Sequence, residues 1–320
     1  MTPRISLLVL TYNQATVVEA AVQSCLAQVG EPLEIVLSDD ASTDGTYALL
    51  LEMAAAYRGP HQVRVRRNPQ NLGIGAHYNA AIKDSAGQLL VTAAGDDISL
   101  PHRVQTLAAA WDASGQKADL LSSHLVDMSA DGMDVGTIRV DDLARWKRPE
   151  DWVRKRPYVV GASHAFTRRM HERFGPIRAD LPYEDQAMAL RASCMGGGIT
   201  VPEALVKYRR GGVSAGATQR LTAEANQKRL QTKYVRQIAL YSQIRHDLLI
   251  VDREDLWIGR IRKRMYRSQF FVALQTSQGW RSRLQVVAKY PGAGRVWGFL
   301  QVVVNQWPRL RLAWSNFRRK

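Results

Sequence analysis

Short apolar runs alternate with segments of helical periodicity over the first 114 residues, and this alternation constrains the fold more than any other feature. The predicted strands cover residues 5–10, 33–37, 63–66 and 88–93. The predicted helices cover residues 14–28, 44–57, 74–86 and 101–114. Strands that alternate with helices of this length make right-handed crossovers, so the sheet is parallel and covered on both faces. The predicted fold class is α/β, with a Rossmann-like, mostly parallel sheet flanked by helices.

Pairs of adjacent acidic residues stand where this pattern places loops. Asp39-Asp40 follows the second predicted strand, and Asp96-Asp97 follows the fourth. Glu184-Asp185 opens a later predicted helix, while Asp141-Asp142 fits no motif and is interpreted as surface charge. Carboxylates that collect at the carboxyl ends of parallel strands form a natural site for a divalent cation and a phosphorylated ligand. The pattern indicates an enzyme.

The charge of the chain divides it into two parts. Residues 1–220 contain 24 Lys and Arg against 24 Asp and Glu, whereas residues 221–320 contain 20 against 5. Five of the eight tryptophans also lie in the second part, namely Trp257, Trp280, Trp297, Trp307 and Trp314. We therefore predict a catalytic domain over residues 1–220 and a basic, Trp-rich helical extension over residues 221–320, with helices near 222–250 and 253–275.

The two cysteines and the apolar runs indicate the cellular compartment of the protein. Cys25 and Cys194 are too few for a disulfide framework or a cysteine-based metal site, which favours a reduced, cytosolic setting. The apolar run 5–10 lacks the length of a secretory signal, and no run approaches the roughly 20 apolar residues that span a bilayer. We expect a chain that does not cross a membrane.

Four motifs in order carry a family resemblance. They are Leu-Leu-Val-Leu-Thr-Tyr-Asn at 7–13, Ser-Asp-Asp-Ala-Ser-Thr-Asp-Gly-Thr at 38–46, Asn-Pro-Gln-Asn-Leu-Gly at 68–73 and Gly-Asp-Asp at 95–97. Together they resemble the amino-terminal signature of family 2 inverting glycosyltransferases with the GT-A fold. The resemblance covers about residues 4–213 and nothing beyond residue 221.

The resemblance implies a nucleotide-diphosphate sugar donor and a divalent cation, Mn²⁺ or Mg²⁺. It implies that Asp97 coordinates the metal and that Asp96, beside it, approaches the ribose. It also implies that Asp40 or Asp39 accepts a hydrogen bond from the nucleobase. The remaining residues expected to contact the nucleotide are Thr11, Tyr12, Asn13, Asn71 and Gly73. A hard cation that bridges carboxylate and diphosphate would stabilise the charge that grows on the leaving group.

Inversion by single displacement needs a base that takes the proton of the acceptor hydroxyl. Glu184-Asp185 is the candidate pair, placed in a first helical turn whose dipole favours ionised carboxyls. By resemblance the base is Asp185, and Glu184 contacts or orients the acceptor. The expected acceptor is a lipid-linked or surface glycan.

Two positions depart from the family pattern. Ala94 stands where an Asp-x-Asp-Asp loop has its leading aspartate, and Tyr208-Arg209-Arg210 is not followed by a histidine. A second protein ligand for the metal is therefore not evident. Arg209 and Arg210 are instead candidates to neutralise the diphosphate. His164 is the one histidine placed near the site, with a structural role as the preferred alternative.

The basic extension favours a partner with negative charge. Amphipathic segments that carry Lys, Arg and Trp suit an anionic membrane interface, which places the protein on the cytoplasmic face of the inner or plasma membrane. A solvated or protein-binding surface is the plain alternative. A nucleic-acid partner is not expected, because residues 1–220 carry no excess positive charge and no nucleic-acid-binding motif.

Two alternatives to glycosyl transfer stay open. A nucleotidyltransferase that forms sugar nucleotides also uses an α/β sheet and metal-binding aspartates, but its glycine-rich basic loop is missing here. A non-catalytic nucleotide-binding protein would keep the fold without needing Asp40, Asp97 and Asp185.

Overall fold

A computed structural model describes residues 4–182, 184–211 and 223–290. The chain divides into two compact units, with the division between residues 218 and 219. Each unit is described by itself below.

The first unit is built on a parallel sheet whose order follows the alternation in the sequence. Its strands are β1 (Ile5–Thr11), β2 (Glu34–Asp39), β3 (Gln62–Arg67) and β4 (Leu89–Ala94). They lie in the order β3-β2-β1-β4, and each adjacent pair is parallel. Thr11 lies opposite Asp39, and Leu10 lies opposite Ala94. The carboxyl ends of β1, β2 and β4 therefore meet at one edge, as predicted.

Helices connect these strands and bury their apolar sides on the sheet. They are α1 (Val18–Leu26), α2 (Thr46–Ala56), α3 (Ile74–Lys83) and α4 (Arg103–Ala113). The core includes Leu7, Val9, Ile35 and Leu37 from the strands, all at 0% exposure. Because β1 and β2 are covered on both faces, their residues form nearly continuous apolar runs, the pattern from which they were predicted.

The second half of the sheet is mixed. Its strands are β5 (Ile98–Ser99), β6 (Leu120–Met128), β7 (Asp134–Ile138), β8 (Ala165–Thr167) and β9 (Ile199–Arg209). β6 and β9 are parallel, whereas β8 pairs antiparallel with β4 and β6, β5 with β9, and β7 with β6. The sheet is thus less parallel than the sequence pattern indicated, because strands as short as β5 and β8 leave too few residues for a periodic signal.

Three helices complete the first unit, α5 (Pro149–Arg154), α6 (Arg168–Phe174) and α7 (Glu184–Cys194). Residues 128–157, which show no clear period in the sequence, contain β7, a 3₁₀ turn at Leu143–Arg145 and α5. Asp142 caps that turn by accepting from the Ala144 amide at 3.1 Å, and Asp141 accepts from the Tyr158 amide at 2.9 Å. This acidic pair therefore orders local loops.

The described part of the second unit is helical, as predicted. It contains α8 (Ala223–Ile250), α9 (Glu254–Leu256), a π-helical turn at Trp257–Ile261, α10 (Arg262–Thr276) and α11 (Gly279–Lys289). Phe270, Phe271 and Leu274 form one of its hydrophobic clusters, packed against Tyr234 and Val286. None of the described helices combines the length and the apolar character needed to span a bilayer. Trp297, Trp307 and Trp314 lie outside the described residues.

Candidate active site

The loops after β1 and β2 are joined by hydrogen bonds between backbone and side chains. The Asn13 amide donates to Ser42 Oγ at 2.9 Å, and Asn13 Oδ1 accepts from the Thr43 amide at 2.8 Å. The Gln14 amide donates to Thr46 Oγ1 at 2.8 Å. Asn13 has a φ of 50°, a left-handed conformation that asparagine tolerates better than most residues. The two motifs therefore form one folded surface.

Asp40 holds the loop that leads into α3. Its Oδ1 accepts from Asn68 Nδ2 at 2.7 Å and from the Leu72 amide at 2.9 Å, while its Oδ2 accepts from the Gly73 amide at 3.0 Å. Gly73 has a φ of 78°, in the left-handed region that favours glycine. Asn71 is exposed beside it. The carboxylate of Asp40 is thus occupied by protein groups.

Asp39 keeps a carboxylate oxygen that accepts no hydrogen bond from the described residues. Its Oδ2 accepts from the Ser42 amide at 2.9 Å and lies 3.3 Å from Arg67 Nε. Its Oδ1 is buried without a hydrogen-bond partner in the described structure. The guanidinium of Arg67 is stacked over the Tyr47 ring at 4.7 Å. Of the two neighbouring aspartates, Asp39 is therefore the one with an unused hydrogen-bond acceptor among the described residues, and that oxygen is buried.

Thr11 and Tyr12 differ in accessibility. Thr11 is 1% exposed, and its Oγ1 donates to the Ser38 carbonyl at 3.1 Å. Tyr12 is 44% exposed. Thr11 therefore shapes the strand end, and Tyr12 offers a ring to the surface.

A buried histidine that sequence reasoning missed supports this region. His77 Nε2 lies 2.7 Å from Ser38 Oγ, which also accepts from Arg66 Nη1 at 2.6 Å. Arg66 Nη2 donates to Asn68 Oδ1 at 2.6 Å. Burial lowers the pKa of His77 to about 4, so the ring is neutral at physiological pH. The available signal was the position of His77 four residues before Ala81, on the buried face of α3.

The Asp96-Asp97 loop contains a second buried carboxylate oxygen without a partner. Asp97 Oδ1 accepts from the Arg209 amide at 2.8 Å, and its Oδ2 has no partner among the described residues. Burial and the charge of Asp96 raise the pKa of Asp97 to about 7. Burial also raises the pKa of Asp96. Two adjacent carboxyls with raised pKa values favour a nearby positive charge.

The donor set fits a cation that takes only part of its coordination from the protein. The described residues contain no group of three or more His, Cys, Asp or Glu side chains arranged to hold a metal. Asp97 Oδ2 and the Asp96 carboxylate are hard oxygen ligands of the kind that Mg²⁺ and Mn²⁺ prefer. Mg²⁺ sites often use one or two carboxylates together with substrate phosphates and water. Asp96 and Asp97 match that pattern.

The two candidate arginines have different surroundings. Arg209 Nε donates to the Asp96 carbonyl at 3.0 Å, and its Nη1 donates to the Ala130 carbonyl at 2.8 Å. Arg210 Nε donates to Asp127 Oδ1 at 2.6 Å, and Asp127 raises the pKa of Arg210. Arg209 therefore braces the acidic loop, whereas Arg210 forms an ion pair on β6.

Glu184 and Asp185 open α7 as partly buried carboxyls. Burial raises the pKa of Asp185 to about 6. Burial and the neighbouring Asp185 raise the pKa of Glu184 to about 7. The positive end of the helix dipole was expected to favour the ionised carboxyls. Burial disfavours the ionised carboxyls, and its effect on the pKa is larger than that of the dipole here. Both groups can exchange a proton near neutral pH, as a general base must.

His164 lies in the interior. It is 1% exposed, and neither ring nitrogen has a partner among the described residues. Burial lowers its pKa to about 3, with the charge of Arg103 acting in the same direction. This position agrees with the structural alternative for His164 rather than with contact to a ligand.

The family of the chain follows from a match to a family model. Residues 6–170, more than half of the chain, match the model described as Glycosyl transferase family 2. The chain belongs to glycosyl transferase family 2, which confirms the family predicted from its motifs. Over 143 residues it is 33% identical to the succinoglycan biosynthesis protein ExoO of Rhizobium meliloti (strain 1021). That match covers 45% of this chain and 39% of the relative, so the chain spans about two-fifths of the length of that curated relative.

Solved structures share the fold at low sequence identity. S. aureus TarS 1–349 in complex with UDP-GlcNAc matches with a TM-score of 0.53 and 16% identity, over 90% of this chain and 85% of that chain. The mannosyltransferase PcManGT from Pyrobaculum calidifontis, in complex with GDP-Man and Mn²⁺, matches with a TM-score of 0.55 and 18% identity, over 96% and 88% of the two chains. These matches confirm the predicted GT-A fold.

Proposed function

We propose that this protein transfers a sugar from a nucleotide-diphosphate donor to a hydroxyl acceptor, with inversion at the anomeric carbon. The observation that carries the proposal is the Asp96-Asp97 loop, where a buried carboxylate oxygen lacks a protein partner at the edge of the sheet. A ligand that brings a cation to this edge would supply the missing positive charge. The family and the donors bound by TarS and PcManGT support a nucleotide sugar as that ligand.

Asp39 and the acidic loop have distinct roles in donor binding. Asp39 Oδ1 would accept from an N–H group of the nucleobase, and Tyr12 would cover the base. Asp96 and Asp97 would hold Mn²⁺ or Mg²⁺ beside the diphosphate. When bound, the cation would neutralise negative charge on the departing diphosphate. Arg209 holds the backbone of this loop through the Asp96 carbonyl.

Asp185 would act as the general base. It would take the proton of the acceptor hydroxyl as the oxygen attacks the anomeric carbon on the face opposite the diphosphate. The raised pKa of Asp185, about 6, makes it a stronger base than an ordinary aspartate while leaving it ionised at neutral pH. Glu184 would orient the acceptor. The bond from sugar to diphosphate breaks as the new glycosidic bond forms, which inverts the configuration.

The acceptor and location are proposed from the relatives and from the second unit. ExoO is a succinoglycan biosynthesis protein, which supports a glycan or lipid-linked acceptor in polysaccharide assembly. In α10, four basic residues and no acidic residue occur in the sequence, and Tyr266 is 45% exposed among them. We infer that this surface binds the anionic cytoplasmic face of the inner or plasma membrane. Co-sedimentation with anionic vesicles, absent with neutral vesicles, would be the expected result, and equal binding to both would contradict it.

Calorimetry with UDP, GDP, dTDP and CMP, with and without Mn²⁺, tests the donor proposal. One diphosphate should bind in a metal-dependent manner, and Asp97→Ala should abolish the effect of the metal. The matching sugar nucleotide should then be consumed. Inversion would be checked by NMR of the anomeric configuration of the product. Binding that is equally tight with and without metal, and unchanged in Asp97→Ala, would contradict the proposal.

A further inference from the structure

Arg103 is a buried cation that donates hydrogen bonds to neutral groups from two segments of the first unit. It begins α4 at 0% exposure. Nη1 donates to Ser99 Oγ at 2.9 Å, and Nη2 donates to the carbonyls of Thr92 and Ala162 at 2.7 Å each. A buried guanidinium is costly unless hydrogen bonds and an opposite charge compensate it. The charge of Asp97 acts on Arg103, and the hydrogen bonds of Arg103 join two separate segments, so its position bears on the site as well as on packing.

The partners of Arg103 belong to two different parts of the site. Ser99 is two residues after Asp97 and lies in β5, so it extends the acidic loop. Ala162 lies in the 3₁₀ turn Gly161–Ser163. Thr92 joins the two parts, because its Oγ1 donates to the Gly161 carbonyl at 3.2 Å. One guanidinium thus contacts both segments.

The Gly161–Ser163 turn lies directly against Glu184. A Cβ placed on Gly161 would stand 2.3 Å from Glu184 Oε1 and 3.7 Å from the Asp185 Cβ. Only glycine allows this approach without movement of the carboxyl. The turn therefore packs against the acidic pair at the start of α7.

We propose that Arg103 is a positioning residue. It keeps the acidic loop and the Gly161–Ser163 turn at a fixed separation, so that the bound donor and the general base lie at the distance that the reaction needs. The inference rests on the proposed function. The planar guanidinium donates in several fixed directions, and lysine cannot reproduce this geometry although it keeps the charge. The effect of Arg103 should therefore appear in the chemical step rather than in nucleotide binding.

Arg168 provides a matched control. It also begins a helix, α6, and it donates to neutral acceptors, the Gly87 carbonyl at 2.7 Å and both the carbonyl and Oγ of Ser85 at 2.9 Å. These acceptors precede β4, at the end of that strand opposite the acidic loop. Arg168→Met therefore removes a comparable set of hydrogen bonds away from the site.

The test compares Arg103→Lys, Arg103→Met and Arg168→Met in the full chain. The measurements are thermal unfolding, the Kd of the cognate diphosphate with Mn²⁺, and kcat and KM for the cognate sugar nucleotide, with water as acceptor if no other is known. Arg103→Lys, which keeps the positive charge that acts on Asp97, should keep Kd within about threefold. In both Arg103 variants kcat should fall about thirtyfold to a hundredfold, because small misplacements of reacting groups have effects of this size. Arg168→Met should keep kcat within about threefold, although it also removes three hydrogen bonds of an arginine side chain.

Several outcomes would overturn the inference. Full turnover in Arg103→Lys would show that only the positive charge of Arg103 matters. Equal losses of kcat in Arg103→Met and Arg168→Met would show that Arg103 acts only through the stability of the fold. If Arg103→Met does not fold, Arg103→Lys decides the question. A wild-type protein that neither binds a diphosphate nor consumes a sugar nucleotide would instead refute the proposed function, which keeps the two failures distinct.

Discussion

Asp39 and Asp40 are adjacent and chemically identical, yet their carboxylates have different hydrogen-bond partners. Asp40 accepts three hydrogen bonds from the loop at 68–73, whereas Asp39 keeps one oxygen without a described partner. The difference arises because successive residues at a strand end point to opposite sides. At the residue scale, one aspartate holds the loop at 68–73 and its neighbour is the candidate to contact the base.

Asp40→Asn should destabilise the protein by about 1–3 kcal/mol, since the amide nitrogen would face a backbone N–H donor. The measurement is the free energy of unfolding in urea. Asp142→Asn serves as the control, because asparagine caps a turn as well as aspartate does and its effect should stay within about 0.5 kcal/mol. Equal stability of Asp40→Asn and the wild type would show that the loop does not depend on this carboxylate.

The activity should depend on pH through the carboxyl pair of α7. The pKa of Asp185 is raised from 3.8 to about 6, so the ionised base is lost as the pH falls through 6. At saturating donor and Mn²⁺, which would keep Asp96 and Asp97 ionised, kcat should therefore fall about tenfold per pH unit below 6, and Asp185→Asn should lower kcat by about 10²–10⁴-fold.

Glu184→Gln separates the two members of the pair in this pH profile. Glu184→Gln should keep the fall in activity below pH 6, which is the acidic limb of the profile, whereas the residual activity of Asp185→Asn should lack this limb. An acidic limb that persists in Asp185→Asn and disappears in Glu184→Gln would assign the base to Glu184.

At the scale of elements, the site depends on close approach between the loops after β1 and β4. The Gly95 amide donates to the Leu10 carbonyl at 2.9 Å. A Cβ on Gly95 would lie 2.4 Å from Gln14 Oε1 and 2.7 Å from Thr11 Cγ2. Glycine is therefore required here for space, and its backbone sets where the acidic loop begins.

Gly95→Ala should displace the acidic loop and weaken metal-dependent binding of the diphosphate by about tenfold or more, at a cost of about 1–3 kcal/mol in stability. Calorimetry and urea unfolding measure the two effects. Thr11→Ser removes the obstructing methyl while keeping the hydroxyl, so the double variant should recover part of the loss. Wild-type affinity in Gly95→Ala alone would mean that the loops yield without consequence.

At the scale of the whole molecule, the excess positive charge and the candidate catalytic residues lie in different parts of the chain. All members of the main hydrophobic core cluster lie between Ile5 and Leu205. The excess positive charge lies in residues 221–320. We propose that the first unit carries the catalytic function and that the second provides attachment.

A chain that ends at residue 218 should fold cooperatively and keep its affinity for the diphosphate within about threefold, because the core and the candidate donor residues lie in the first unit. Circular dichroism on heating and calorimetry measure these properties. A truncated chain without a cooperative transition would place part of the essential core beyond residue 218.

Charge reversal on α10 should weaken binding to anionic vesicles. The change is Arg262→Glu, Lys263→Glu and Arg267→Glu together, at positions that are all exposed. At about 1 kcal/mol per basic residue, the loss should exceed about a hundredfold at low salt. The control reverses Lys83, Lys117 and Arg139, exposed residues of the first unit, and should change binding little. Equal losses in both triple variants would indicate an effect of net charge rather than of a defined surface.

The sequence by itself determined the alternating strands and helices, the edge of the sheet where the motifs meet, the family and the split in charge. These properties follow from local periodicity, turn residues and composition, which are readable along the chain. Only the tertiary structure decided which aspartate keeps a free oxygen, where Arg103 and His77 lie, and that the later strands pair in a mixed sheet. It also reversed the expected direction for the Glu184-Asp185 pair, because burial depends on surrounding segments. The physical reason is that the deciding partners are distant in sequence, as in the Arg209 amide that donates to Asp97 from 112 residues away.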